Sequence, residues 1–158
     1  MLGTTASPSG SARGIGDYAA ATHDQLLFQN ESVLRWRSFI FKFRRALHRH
    51  DREALRNMMA PNFWSWPAQM TGRDVAFQTW DDPYKNGWRA FERTLRRRSV
   101  WMSNWYRNAA EPWRPMRIVP REANMSGNPG APVVPWYAIF RYEADGHWYC
   151  TVFSGCCE

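Results

Sequence analysis

The chain has 158 residues, 44% of them apolar and 22% charged, which is a length and balance suited to one globular domain. Its longest nearly apolar run, around Phe39-Ile40-Phe41, is cut by Lys42 and is too short to span a bilayer, so composition excludes a membrane-spanning chain as well as wholesale disorder. The formal charge is +7, and only two of the 21 basic residues, Lys42 and Lys85, are lysines. Arginine forks suit phosphate and carboxylate, so an anionic partner is one reading, and solvated surface charge from an arginine-biased genome is the other. The arginines are scattered with no nucleic-acid-binding motif around them, which argues against nucleic acid.

Residues 1–25 are rich in Gly, Ser, Thr and Ala and lack the apolar core of a secretory signal, so they read as a mobile leader before a single domain over 26–158. Arg13 and Asp17 also fit a transit peptide poorly, which leaves the cytoplasm as the expected address. From Ser32, a plausible N-cap, the spacing of Val33, Trp36, Ile40, Phe43 and Leu47 predicts an amphipathic helix flanked by Phe39 and Ala46. Arg35, Lys42, Arg45 and Arg49 line another face. Asp51 caps a second helix over 52–60, ended by Pro61, in which Leu55, Met58 and Met59 continue the buried stripe.

The aromatic stretch 62–67 reads as a short strand or extended turn leading into Gly72. Asp74 is positioned to cap a helix carrying Phe77 and Trp80, which Asp81-Asp82-Pro83 stops. Asn86-Gly87 marks a turn before a helix over 88–98 with Trp88, Phe91 and Leu95 on one side. The period then changes: 99–107 and 115–121 read as strands and 124–132 as a long loop.

The clearest local signal is a β-hairpin, in which residues 133–143 and 147–154 flank Asp145-Gly146. A turn of two or four residues places Trp136, Ala138, Phe140 and Tyr142 on one face with Tyr149, Thr151 and Phe153. Tyr137, Ile139, Trp148 and Val152 then face outward and are the expected subunit contact of a homodimer. Helices followed by a long meander predict an α+β fold: N-terminal helices packed on a curved antiparallel sheet, forming a cone with an internal pocket.

Ala46-Leu47, Asp51, Leu55, Met58-Met59 and Phe63, followed by Phe140-Arg141-Tyr142, Asp145-Gly146-His147-Trp148 and Phe153, resemble the nuclear-transport-factor-2-like superfamily, which includes ketosteroid isomerase and polyketide cyclases. The resemblance runs over about residues 32–155 as a diffuse pattern of core and turn positions. It implies a cone-shaped fold with a pocket between sheet and helices, commonly in a homodimer, and covers enzymes, binding modules and assembly adaptors alike.

Enzymes of that family shuttle a proton with an acidic residue or an Asp/His pair inside the cone, and no position here matches that pattern. Asp82 as the acid and Tyr142 as a hydrogen-bond donor are the candidates for such a reaction, although carboxylates directly before proline also terminate helices. His48 and His50 belong to the charged end of the first helix, and His147 follows the turn glycine. Cys150, Cys156 and Cys157 cluster near the C-terminus without zinc-site spacing, so no metal or other cofactor is expected.

Ten tryptophans either fill the core or line a site that stacks on a planar ligand. Trp64, Trp66, Trp80 and Trp136 are the indole candidates, joined by Phe77, Phe140 and the inward hydroxyls of Tyr142 and Tyr149. The expectation is a ligand-binding or accessory domain with an aromatic-lined pocket and a basic exterior, taking a small hydrophobic or aromatic ligand or a partner protein. A small proton-transfer enzyme of isomerase, cyclase or dehydratase type is the alternative.

Overall fold

The computed structural model describes residues 22–65, 70–102, 114–125 and 134–155. Helix α1, His23–His48, begins well before Ser32. Thr22 and Gln25 form a reciprocal capping box, the Thr22 hydroxyl accepting from the Gln25 N–H and the Gln25 side chain from the Thr22 N–H. Residues 23–25, expected in the leader, are therefore the first turn of the helix. Ser32 is buried inside it, with its hydroxyl donating to the Gln29 carbonyl at 2.6 Å. Trp36, Ile40, Phe43, Ala46 and Leu47 form the buried face as expected, whereas Val33 stands at the solvent side of that stripe.

Asp51 caps α2, Arg52–Met58, by accepting the Ala54 N–H at 3.0 Å. The helix stops two residues short of expectation because Met59 opens strand β1, Met59–Ser65. Pro61 lies inside β1, in the interval where its pairing shifts register, so the missing N–H interrupts no regular ladder. After β2, Met70–Thr71, comes α3, Arg73–Asp81, with Gly72 rather than Asp74 at its N-cap. Helix α4, Gly87–Leu95, buries Trp88, Phe91 and Leu95 as expected and ends three residues before 98.

The remaining strands are β3 (Val100–Trp101), β4 (Met116–Val119), β5 (Trp136–Tyr142) and β6 (Trp148–Gly155), with a 3-10 turn at Arg121–Met125. Expected strand positions 103–107, and most of the expected 124–132 loop, lie outside the described residues. The sheet order is β2-β1-β6-β5-β4-β3. It is mixed rather than antiparallel, because β1 and β6 run parallel. A parallel pair needs a long crossover, and here the chain between the two strands includes α3 and α4.

The hairpin corrects the predicted facing. Glu143 N–H donates to the His147 carbonyl at 2.9 Å and Gly146 N–H to the Glu143 carbonyl at 3.0 Å, so the turn has three residues, Ala144 to Gly146. Gly146 takes φ 77°, a left-handed conformation that glycine adopts without a Cβ penalty. An odd turn reverses the parity of the following strand, and Tyr142 pairs with Trp148 instead of Tyr149. A bulge then leaves Thr151 unpaired and restores the expected register, with Ala138 opposite Phe153. Trp148 and Cys150 are consequently inward and buried, and Tyr149 turns to the half-exposed side.

The main core lies between the helices and one face of the sheet, with Phe43, Phe91, Phe140 and Phe153 at its centre. On the opposite face Met102, Ile118, Ala123 and Val134 form a second cluster, with Tyr137 and Ile139 packed against it. Ile139 and Phe140, adjacent in β5, thus serve different layers, as strand alternation requires.

Candidate functional site

Most rings expected to line a ligand pocket pack on one another. Phe77, Trp80, Phe140 and Tyr142 are buried core residues. Trp80 meets Phe77, Trp88 and Phe91 edge to face at 5.6, 5.1 and 5.2 Å between centroids, and Phe91 stacks on Phe153 at 4.0 Å. Trp136, half-buried, stacks on Phe153 at 5.1 Å. Trp64 is half-buried opposite Thr71 and Val152, and Trp66 lies outside the described residues. Tyr149 donates its hydroxyl to Asp145 at 2.7 Å. Edge-to-face and stacked rings at these distances are dense core packing, which accounts for Trp80 and Trp88 without a ligand.

The acid and donor candidates have separate surroundings. Asp82 accepts the Tyr84 N–H at 2.9 Å just past α3 and faces Lys85 at 3.7 Å, which is the helix-terminating role. Its neighbour Asp81 takes both Arg52 contacts, at 2.8 and 2.6 Å, and the Trp88 indole N–H at 3.1 Å, tying α2, α3 and α4 together. Tyr142 packs against Phe28 and Trp148, and burial, followed by the nearby Glu31 carboxylate, raises its hydroxyl pKa. Its hydroxyl finds no hydrogen-bond partner among the described residues. His50 stacks on Trp88 at 4.3 Å, and His48 lies 3.6 Å from Glu92. No cluster of three or more His, Cys, Asp or Glu suited to a metal occurs among the described residues, nor any helix long and apolar enough to cross a membrane.

Of the outward set, Tyr137 and Ile139 pack on the second cluster of their own chain and Val152 is half-buried. Trp148 leaves that set altogether: it is 3% exposed and its indole N–H donates to the Ser32 carbonyl at 2.9 Å, pinning the hairpin to α1.

Trp148 also lines a groove of about 310 Å³ between α1, the end of α2 and the hairpin turn. Phe39, Met58 and Trp148 supply its apolar surface, and Arg35, Lys42 and His147 its basic rim. Arg35 is held by Glu31 at 2.6 Å, one helical turn back, while Lys42 has no acidic partner among the described residues. Lys42 and Met58 also border a second groove of about 330 Å³, which continues along α1 past Arg45 and Arg49. The basic face read from the sequence thus becomes a ridge between two recesses. No carboxylate or thiol lies among the residues lining the first groove, so it has the chemistry of a binding surface for an anion with an apolar body.

Comparison of the chain with protein-family models, curated proteins and solved structures finds no match. The groove was missed in the sequence because Phe39 and Met58 read as core and the three-residue turn, which brings Trp148 inward, is not distinguished by Asp-Gly from a two-residue one.

Proposed function

We propose that this chain is a non-catalytic ligand-binding domain, built on a scaffold of the nuclear-transport-factor-2-like kind, whose ligand is a small anion with an aromatic or apolar body. Helices α1 and α2, which precede the sheet, and the packing of the helical layer on one face of it support the scaffold reading. The observation that carries the ligand reading is the Lys42 ammonium, without an acidic partner among the described residues, lining one groove with Phe39, Met58 and Trp148. An ammonium beside apolar surface attracts a carboxylate or phosphate whose organic part is withdrawn from water. The separate surroundings of Asp82 and Tyr142 give the proton-transfer alternative no support.

The test is titration of the full chain with 2-naphthoate, followed by calorimetry and by NMR shifts of the Trp148 indole N–H. Saturable binding that weakens about tenfold or more in Lys42→Glu, which replaces a charge-assisted contact by like-charge repulsion, is the expected result. Lys42 is exposed, so the substitution leaves the core intact. Absence of binding, or equal affinity in the two proteins, overturns the proposal.

A further inference from the structure

Helix α1 buries one face on the core, yet its outer face is also apolar. Leu26, Leu27, Val33, Leu34 and Phe41 are all exposed, Leu34 by 79% and Phe41 by 67%. Leu27, Leu34 and Phe41 recur every seven residues, two helical turns apart, with Leu26 and Val33 beside them. The stripe runs about 22 Å at 1.5 Å per residue. Exposed Arg37 and Arg44 stand within it and Arg45 at its edge.

We propose that this outer face of α1 docks on an anionic lipid surface, with the leucines and Phe41 entering the headgroup boundary and the arginines holding lipid phosphates. An apolar helical stripe flanked by cations is complementary to such a surface: the side chains withdraw from water, while guanidinium groups reach the phosphate layer on flexible stems. The chain's charge of +7 adds attraction at longer range. A second copy of the chain, which would cover the same leucines, is the rival occupant that the experiment separates from a lipid surface. The proposal involves none of the residues that line the groove with Phe39, Met58 and Trp148, so either can fail alone.

The experiment is co-sedimentation of the full chain with vesicles of phosphatidylcholine alone, and of phosphatidylcholine carrying about 30% phosphatidylglycerol. Binding to the anionic vesicles only, weakened by about 0.5 M salt and reduced about tenfold or more in Leu34→Glu/Phe41→Glu, is the expected result. Circular dichroism verifies the variant's fold, and Leu34→Gln/Phe41→Gln replaces it if the helix content falls. Equal sedimentation of variant and wild type, or no wild-type binding to anionic vesicles, overturns the proposal. So does a wild-type dimer that the double variant dissociates while vesicle binding is absent, since the face then belongs to a second copy.

Discussion

Phe43 of α1 meets Phe140 of β5 edge to face, with ring centroids 5.5 Å apart and planes at 89°. Phe43 also contacts Phe91 of α4 edge to face at 5.6 Å, so one fully buried ring joins two helices to the sheet. Phe43→Ala removes that ring from a site where the surrounding rings cannot easily collapse, and is expected to cost about 3 to 5 kcal/mol in urea unfolding. A loss below about 1 kcal/mol would show that this helix–sheet contact does not hold the fold together.

Gly87, the first residue of α4, is expected to resist a change that helix propensity favours. A Cβ there would stand 2.6 Å from Trp80 Cδ1 and 2.9 Å from Trp80 Cα. The second atom is backbone and cannot swing aside. Alanine gains about 1 kcal/mol in helix propensity, whereas overpacking costs about 1 to 3 kcal/mol and moves the indole out of its contacts with Phe91 and Phe153. Gly87→Ala should therefore lower the melting temperature, and an unchanged or raised midpoint would contradict the observed α3–α4 approach.

How much of this was legible depends on whether the deciding interaction was local. The spacing of Trp36, Ile40, Phe43 and Leu47 identified the buried face of α1, and Asp51 identified the cap of α2, because both signals act within a turn or two. The capping box at Thr22 and Gln25 was present in the sequence but sat at the edge of a Gly/Ser-rich stretch that hid the helix start. Two features lie beyond such reading. The parallel β1·β6 pairing joins distant segments, and the facing of Trp148 turns on whether the loop holds two residues or three. For the tryptophans, periodicity locates Trp80 on an inner face but is silent on whether rings or a ligand lie opposite; Phe91 and Phe153 occupy that place. The groove at Lys42 depends on all of these at once, and its basic half alone was visible beforehand.

Thr151, the unpaired residue of the β6 bulge, donates its hydroxyl to the Ile139 carbonyl at 3.2 Å. The bulge brings Phe153 back to the inner face after the three-residue turn has shifted Trp148 and Cys150. Thr151→Val keeps the shape and β-branching but removes the hydrogen bond, with an expected cost of about 1 kcal/mol. Local opening shows first in amide hydrogen exchange, where protection should drop around the bulge before it drops at Trp148. Uniform loss along the strand would mean that the hydroxyl does not stabilise this irregularity.

Asp145 makes the turn responsive to acid. Partial burial works against its ionisation, but the Tyr149 hydroxyl, the His147 backbone N–H and the His147 ring together outweigh that effect and hold the carboxyl below its usual range. A carboxylate with a depressed folded-state pKa stabilises the native state above the unfolded value of about 3.9, and that contribution disappears as pH falls through the folded value. Tyr149→Phe removes the hydroxyl donor, so the Asp145 pKa should rise toward its unfolded value and this part of the acid dependence should shrink. NMR titration of the Asp145 carboxyl, with urea midpoints measured from neutral pH down through the carboxylate range, checks both effects. An Asp145 pKa unchanged by Tyr149→Phe would assign the depression to His147 alone.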